Sequence, residues 1–358
     1  MPLRWALAEN ETGGTLFADE RLAERHVGKG AYAGMEFLHV NARTIINAVP
    51  TESRMPFRHT INPYRGCSHA CVYCFARPTH DYLGLGIGTD FERKIVVKVN
   101  AVERLRAELR APAWDGDHIA MGTNTDPYQH AEGKYHLTRG IVETLSGARN
   151  PFSILTKSTL ILRDAAVLAA ACERTEVGVS FSIGTLDRSV WKLTEPGTPP
   201  PDRRVEAVRR LTAMGIPCGV LVAPVLPGLS DSEAQLTEVV EACAEAGARS
   251  ISGAALHLRG PLRKHYLDWL EGERPDLVRL HRERFGRGAY QDDEERQRIE
   301  GIVKLAARRC GVTGRNPYRG RRSVGTGDQT EPLVQAAVQP GGRGRATAAE
   351  AGHQLRLL

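Results

Sequence analysis

Six short apolar runs, each followed by an amphipathic segment, occupy the middle of the sequence and limit its fold more than any other feature. The runs are "HTINPY" (59–64), "HIAMG" (118–122), "FSILTK" (152–157), "VGVSFSI" (177–183), "CGVLVAPVL" (218–226) and "SISGAALHL" (250–258). They have the length of strands and are too short for buried helices. Between them lie helical patterns. "NAVERLRAEL" places Asn100 and Glu103 in capping-box positions and Val102, Leu105 and Leu109 at helical spacing. "LTRGIVETLSGA", the Ala-rich stretch from Leu160 to Glu173, a segment from Asp202 as cap to Gly215, and one from Asp231 to Gly247 complete the set. The alternation predicts an α/β fold with a parallel sheet wound in one sense, as an open doubly wound sheet or a partial barrel. In either case functional sites collect at the C-terminal ends of the strands.

This core is expected over 57–260. Residues 1–56 read as an N-terminal extension, 261–322 as an appended helical segment and 323–358 as a disordered basic tail. The chain is 41% hydrophobic, enough for a sizeable core. No run approaches the ~20 apolar residues of a membrane span, and "MPLRWALAENETGG" lacks the apolar centre of a signal peptide, so a cytoplasmic location is expected. The net charge of +6 hints at a polyanionic partner, but seven arginines against three acidic residues from Gly311 onward account for most of it. Nucleic-acid binding is therefore only weakly indicated for the body of the protein.

The sharpest chemical feature follows the first strand. "GCSHACVYC" places Cys67, Cys71 and Cys74 in a C-x3-C-x2-C array on a polar loop. Cys172, Cys218, Cys243 and Cys310 stand singly in apolar or helical surroundings and read as core or incidental thiols of a reducing compartment. Three thiolates at this spacing can converge on one metal centre, yet a closed zinc or cubane site needs four ligands. Either His69 or His80 supplies the fourth, or one metal position is left open for a cofactor or substrate. The first alternative describes a non-catalytic zinc protein; the second describes an enzyme.

With Tyr73 just before the last cysteine, the array resembles that of the radical S-adenosylmethionine enzymes. "GCSHACVYCFAR", "GTNTDPYQHAE", "LTKS", "VSFSI" and "EPGTPPPDRRVEAVRRLTAMGIPCGVLVAPVLPGLSD" extend the resemblance over about 57–260, toward the subgroup around spore photoproduct lyase and its uncharacterised relatives. The resemblance implies a partial (β/α)6 TIM-type barrel. It also implies a [4Fe–4S] cluster on Cys67, Cys71 and Cys74 whose fourth iron binds S-adenosylmethionine. Reductive cleavage then gives a 5′-deoxyadenosyl radical that abstracts hydrogen from a substrate. A reducing partner such as a ferredoxin or flavodoxin is implied as well.

Cofactor-binding candidates follow from the same likeness. Gly122, Thr123, Asn124, Thr125 and Asp126 occupy the place of the segment that grips the methionyl amino group. Thr156 and Lys157 end the third strand, while Ser180 and Ser182 share one face of the fourth. That face is expected near the methionyl carboxylate and the ribose. Glu195 and Arg204 follow, with Arg204 expected either to pair with the methionyl carboxylate or to be an exposed helix arginine. Pro224 and Pro227 are expected to end the fifth strand beside the adenine site. Tyr128 and His257 read as substrate-side groups or, more blandly, as core residues.

The chain departs from the lyase in one respect. That enzyme returns a hydrogen atom from a cysteine between the cluster loop and the third strand, whereas no cysteine occurs here from 75 to 171. A lesion-repair lyase working on nucleic acid would need another donor. No second cysteine array suggests an auxiliary cluster, and aromatic residues form only 6% of the chain, too few for an evident base-stacking groove.

Overall fold

The computed structural model describes residues 20–314, apart from 51, 52 and 54. The expected disordered tail and the second "NPYRG", at 316–320, lie outside the described residues. Among the described residues, eleven strands form two sheets: β1 Glu20–Val27, β2 Glu36–Ala42, β3 Ile46–Ala48, β4 His59–Ile61, β5 Tyr64–Arg65, β6 Lys94–Lys98, β7 Ile119–Met121, β8 Phe152–Thr156, β9 Val177–Ser182, β10 Cys218–Val225 and β11 Ser250–Ala255.

The larger sheet runs β11-β10-β9-β8-β7-β4-β3. β4 and β7 to β11 are mutually parallel, and β3 adds to β4 antiparallel. Each of the six apolar runs supplies one of the parallel strands. The sheet does not close on itself, which makes it a partial TIM-type barrel. All six residues of β9 are buried, as expected of a parallel strand covered on both faces. The core between sheet and helices is built from residues such as Ile61, Ile119, Phe152, Ile154, Phe181, Val220 and Leu236, all at most 1% exposed. The C-terminal helix Asp293–Arg309 packs Ile299, Val303, Ala306 and Ala307 into the same core, next to the edge strand β11.

Four local expectations are corrected. Asn100 does precede the helix Ala101–Leu109, but its side chain does not cap it. Its amide instead exchanges two 2.9 Å hydrogen bonds with the backbone of Ala42 in β2, a tertiary partner that no local pattern announces. The helix expected to start at Asp202 spans Pro201–Ala213, with Pro200 at the cap. Its successor, Glu233–Glu245, is capped by Ser232 with a true capping box to Gln235. Pro224 does not break the fifth strand. It lies within β10 where pairing to β11 is irregular between Val222 and Val225, so no ladder hydrogen bond is forfeited.

The second sheet, ordered β1-β2-β6-β5, was not evident from the alternating core pattern. β2 comes from the expected N-terminal extension and pairs in parallel with β6. β5 joins β6 antiparallel and leads directly into the cysteine loop, so this sheet anchors the loop's entry. Beyond β11 the chain forms the helices Pro261–Glu273, Val278–Phe285 and Asp293–Arg309. No helix of the described residues is long and apolar enough to cross a membrane.

Gly122, just past β7, has φ of +87°, and a Cβ there would lie 2.0 Å from the backbone oxygen of Leu155 in β8. A side chain is therefore opposed both by backbone strain and by a backbone wall that cannot rotate away. Gly122→Ala is expected to lower stability by roughly 3 kcal/mol or more. Urea denaturation followed by circular dichroism checks this, and an unchanged midpoint would refute the close approach of the two strands.

Candidate metal centre

The cysteine loop begins where the chain leaves β5. Gly66 turns with φ of +78°, and a Cβ at this position would meet the Phe91 backbone oxygen and the His80 ring, each at 2.8 Å. Cys67 N then donates to Phe91 O at 2.9 Å, which fixes the first thiol relative to the approach to β6. Short turns carry the loop onward, with Ala70 N bonded to Cys67 O, Cys74 N to Cys71 O, and Arg77 N to Cys74 O. Cys67 and Cys71 are each 6% exposed, Cys74 is partly buried, and all three are free thiols.

An irregular loop taken out of water must still satisfy its backbone groups. Arg77 does much of this. Its fully buried guanidinium donates from Nε to Cys71 O (2.9 Å), from Nη2 to Ala70 O (3.0 Å), and from Nη1 to Ile87 O (3.0 Å) and Gly88 O (3.2 Å). The Glu92 carboxylate, 2.6 Å from Nη2, balances the charge. All five guanidinium donors are thereby engaged.

The segment after β7 braces the loop from the other side. Thr125 Oγ1 donates to Gly66 O at 2.6 Å, Gln129 Nε2 donates to the same oxygen at 2.9 Å, and Gln129 Oε1 accepts from Ser68 N at 3.0 Å. Asn62 Oδ1 accepts from Asn124 N at 3.2 Å, and its amide bonds to Thr123 Oγ1. Asp126 accepts from Thr156 Oγ1, Tyr128 N and Lys157 N, each within 2.8 Å, and faces His69 Nδ1 at 3.3 Å. Burial opposes ionisation of Asp126, but His69 and these hydrogen bonds outweigh it and hold the carboxyl below its usual range.

A second buried network centres on Glu195. It accepts hydrogen bonds from Tyr73 Oη and Arg204 Nη2, and from Lys157 Nζ at 3.0 Å. Burial again works against the charge, but Arg204 and Lys157 overcome it, so Glu195 stays ionised far below the ordinary carboxylate range. Burial and the adjacent carboxylate push Tyr73 well up, which keeps its hydroxyl a donor. Lys157 also bonds Ser182 Oγ at 2.7 Å and lies 5.6 Å from the Tyr73 ring centroid. Ser182 Oγ in turn donates a hydrogen bond to Ala223 O at 2.6 Å. Two cations thus face one carboxylate beside the thiols.

The thiols themselves titrate high. Burial raises Cys67 strongly, with Asp126 and the other two cysteines adding to it. Burial and Glu195 raise Cys71 to about 12, against the pull of Lys157, and burial raises Cys74 against Arg77 and Lys157. Metal binding would thus release protons at neutral pH. Among the described residues, the set of three possible ligands whose donor atoms lie within 4.8 Å of one another is Glu24, His26 and His39, and it includes none of the cysteines. A single tetrahedral zinc would bring thiolates within about 4 Å of each other. His80, one candidate fourth ligand, points Nε2 at Lys94 O at 3.0 Å, and burial lowers it to about 4. His69, the other, faces Asp126.

The fold therefore gathers the three cysteines, Tyr73, the 122–126 segment, Lys157, Ser182, Glu195 and Arg204 around one end of the sheet. Ser180 lies on the same strand as Ser182 and is fully buried. Arg204, expected either on the helix surface or against a cofactor carboxylate, is 1% exposed and spends its guanidinium on Glu195, Thr198 Oγ1, Ser182 O and Pro199 O. A guanidinium removed from water takes the nearest carboxylate. Tyr128 belongs to the main core, whereas His257 packs edge-on to Phe75 and Tyr290. Arg77, Gln129 and Asn62 were missed, because their tasks are to satisfy backbone groups brought near only by folding.

Residues 61–247 match the family model described as the radical SAM superfamily. An uncharacterised protein of Mycobacterium tuberculosis is 43% identical over 285 residues, covering 79% of this chain and 84% of its own. An uncharacterised protein of Methanocaldococcus jannaschii is 30% identical over 200 residues, covering 56% of this chain and 71% of its own. In fold, the chain is similar to spore photoproduct lyase complexed with dinucleoside spore photoproduct, with a TM-score of 0.56, 20% identity, and coverage of 76% of this chain and 79% of that one.

Two variants test the braces. Arg77→Lys keeps a charge for Glu92 but forfeits most of the four carbonyl bonds, and is expected to cost roughly 3 kcal/mol in urea denaturation. Wild-type stability there would show that the loop does not depend on the guanidinium. Glu195→Gln leaves two buried cations unmatched and is expected to cost about 3–5 kcal/mol at neutral pH. Because the native carboxyl titrates below its ordinary 4.5, its contribution is fully present above that pH and is lost as pH falls toward the native value. The gap between wild type and variant should then narrow below pH 4.5 by up to about 1.4 kcal/mol per unit. A pH-independent gap would mean that Glu195 is not the ionised partner.

Proposed function

Because the chain belongs to the radical S-adenosylmethionine superfamily, we propose that Cys67, Cys71 and Cys74 hold three irons of a [4Fe–4S] cluster whose fourth iron is left for S-adenosylmethionine. The observation that carries this reading is the set of three free thiols in one braced loop, which leaves a metal centre one ligand short of a closed four-cysteine site. When bound, the cluster and its cofactor supply a 5′-deoxyadenosyl radical for hydrogen abstraction from a substrate.

The chain's own residues provide binding, orientation and electrostatics. Arg77, Thr125 and Gln129 hold the loop backbone in place, so the backbone that carries the thiols is set before a cluster binds. Thr123, Asn124, Thr125 and the neighbouring backbone, with Gly122 packed against the Leu155 backbone of β8, form the polar rim for a zwitterionic amino group. Asp126 positions that rim by binding the start of the Lys157 segment and Thr156. Lys157 is the cation left over once Arg204 is matched to Glu195, and it is suited to a carboxylate of the cofactor. Ser182 and Ser180 belong to the strand beneath it. Tyr73 and Arg204 act through Glu195, which keeps Lys157 in place.

Anaerobic reconstitution with iron and sulfide, then dithionite reduction with S-adenosylmethionine, tests the proposal. About four irons per chain and formation of 5′-deoxyadenosine are expected, with both lost in Cys71→Ala. Zinc held in preference to iron, or a full iron complement retained by the variant, would overturn it.

A further inference from the structure

We infer that a second metal site, for a divalent first-row transition ion such as Zn2+, lies on the small sheet and is built by Glu24, His26 and His39. The strand pairing places it there. β1 and β2 are antiparallel with Glu24 opposite His39 and His26 opposite Phe37. Residues two apart share a face, so Glu24 and His26 project from the same side of β1 as His39 does from β2. The donor atoms of the three side chains all lie within 4.8 Å of one another. Tetrahedral zinc ligands sit about 3.3 Å apart, so small rotamer changes close the set.

The neighbours include one cation, the Lys134 ammonium over the Phe37 and Tyr135 rings, and groups that orient the ligands. The His26 and His39 rings lie with centroids 4.2 Å apart, and His26 Nε2 is 2.9 Å from Glu24 Oε2 without hydrogen-bond alignment. Tyr135 Oη is 2.8 Å from His39 Nε2, and the Tyr135 ring packs edge-on to both His39 and Phe37, which fixes the orientation of the imidazole. The Glu24 side chain is 64% exposed, so solvent reaches the ion from that side and can complete its coordination. Two imidazoles and one carboxylate suit zinc, whereas calcium and magnesium demand more oxygen ligands. An ion here ties β1, an edge strand paired on one side only, to β2.

The site is independent of the cysteine loop, and zinc X-ray absorption distinguishes the two. The full chain, with its cysteine loop first filled by cluster reconstitution, then equilibrated with Zn2+ and freed of loose metal, is expected to retain about one zinc with a shell of nitrogen and oxygen at ~2.0 Å and no sulfur at ~2.3 Å. His26→Ala and Glu24→Gln, both at accessible positions, should each weaken zinc binding by about 100-fold or more while leaving iron content after cluster reconstitution unchanged. Sulfur in the zinc shell, failure to retain zinc at micromolar concentration, or unchanged affinity in both variants would overturn the assignment.

Discussion

A loop without regular secondary structure is buried at the end of the sheet, and every polar group of its backbone has to be satisfied there. That requirement organises the surroundings of the three cysteines. Arg77 reaches back under the loop to the carbonyls of Ala70 and Cys71 and onward to those of Ile87 and Gly88, so one guanidinium fastens the thiol segment to the chain entering β6. Thr125 and Gln129 take the Gly66 carbonyl, and Gln129 also takes the Ser68 amide, fastening the same loop to the turn after β7. Thr194 O and Gly197 N bind Val72 N and His69 O from the far side. The loop is rigid because its hydrogen bonds end on different elements.

The charges nearby obey a similar constraint. Glu195, Lys157 and Arg204 are nearly enclosed, and none would be tolerated alone. Their pairing links β8, the helix Pro201–Ala213 and the segment before it, while Tyr73 carries the link into the cysteine loop itself. The surplus positive charge sits beside thiols whose loss of protons would create negative charge. The same cluster of residues therefore stabilises the fold and prepares the site electrostatically for an anionic centre.

The two sheets have separate duties. The parallel sheet provides the strand ends from which Asp126, Thr156, Lys157 and Ser182 project, and its register sets their spacing. The smaller sheet delivers Tyr64 and Arg65 into the cysteine loop and carries the Glu24, His26 and His39 group on β1 and its neighbour β2. Tyr135 lies between these regions, bonded to His39 and following the turn in which Gln129 supports the loop.

Much of this was legible in the sequence. Apolar periodicity located all six parallel strands, since burial on both faces demands continuous apolar runs, and the cysteine spacing located the candidate metal centre, since three thiols in one turn have few other uses. Ser180 and Ser182 on one strand, and the polar segment from Gly122 to Asp126, were likewise visible as local patterns. The small sheet was not, because its strands come from distant stretches and one has only two residues. Nor were the partners of Asn100, Arg77 and Arg204, whose side chains bind Ala42, loop carbonyls and Glu195. Sequence by itself determined the strand–helix order and the donor set, which depend on local spacing. Tertiary structure alone decided which charge is buried against which and what braces the loop, because those pairings depend on distances that exist only after the chain has closed on itself.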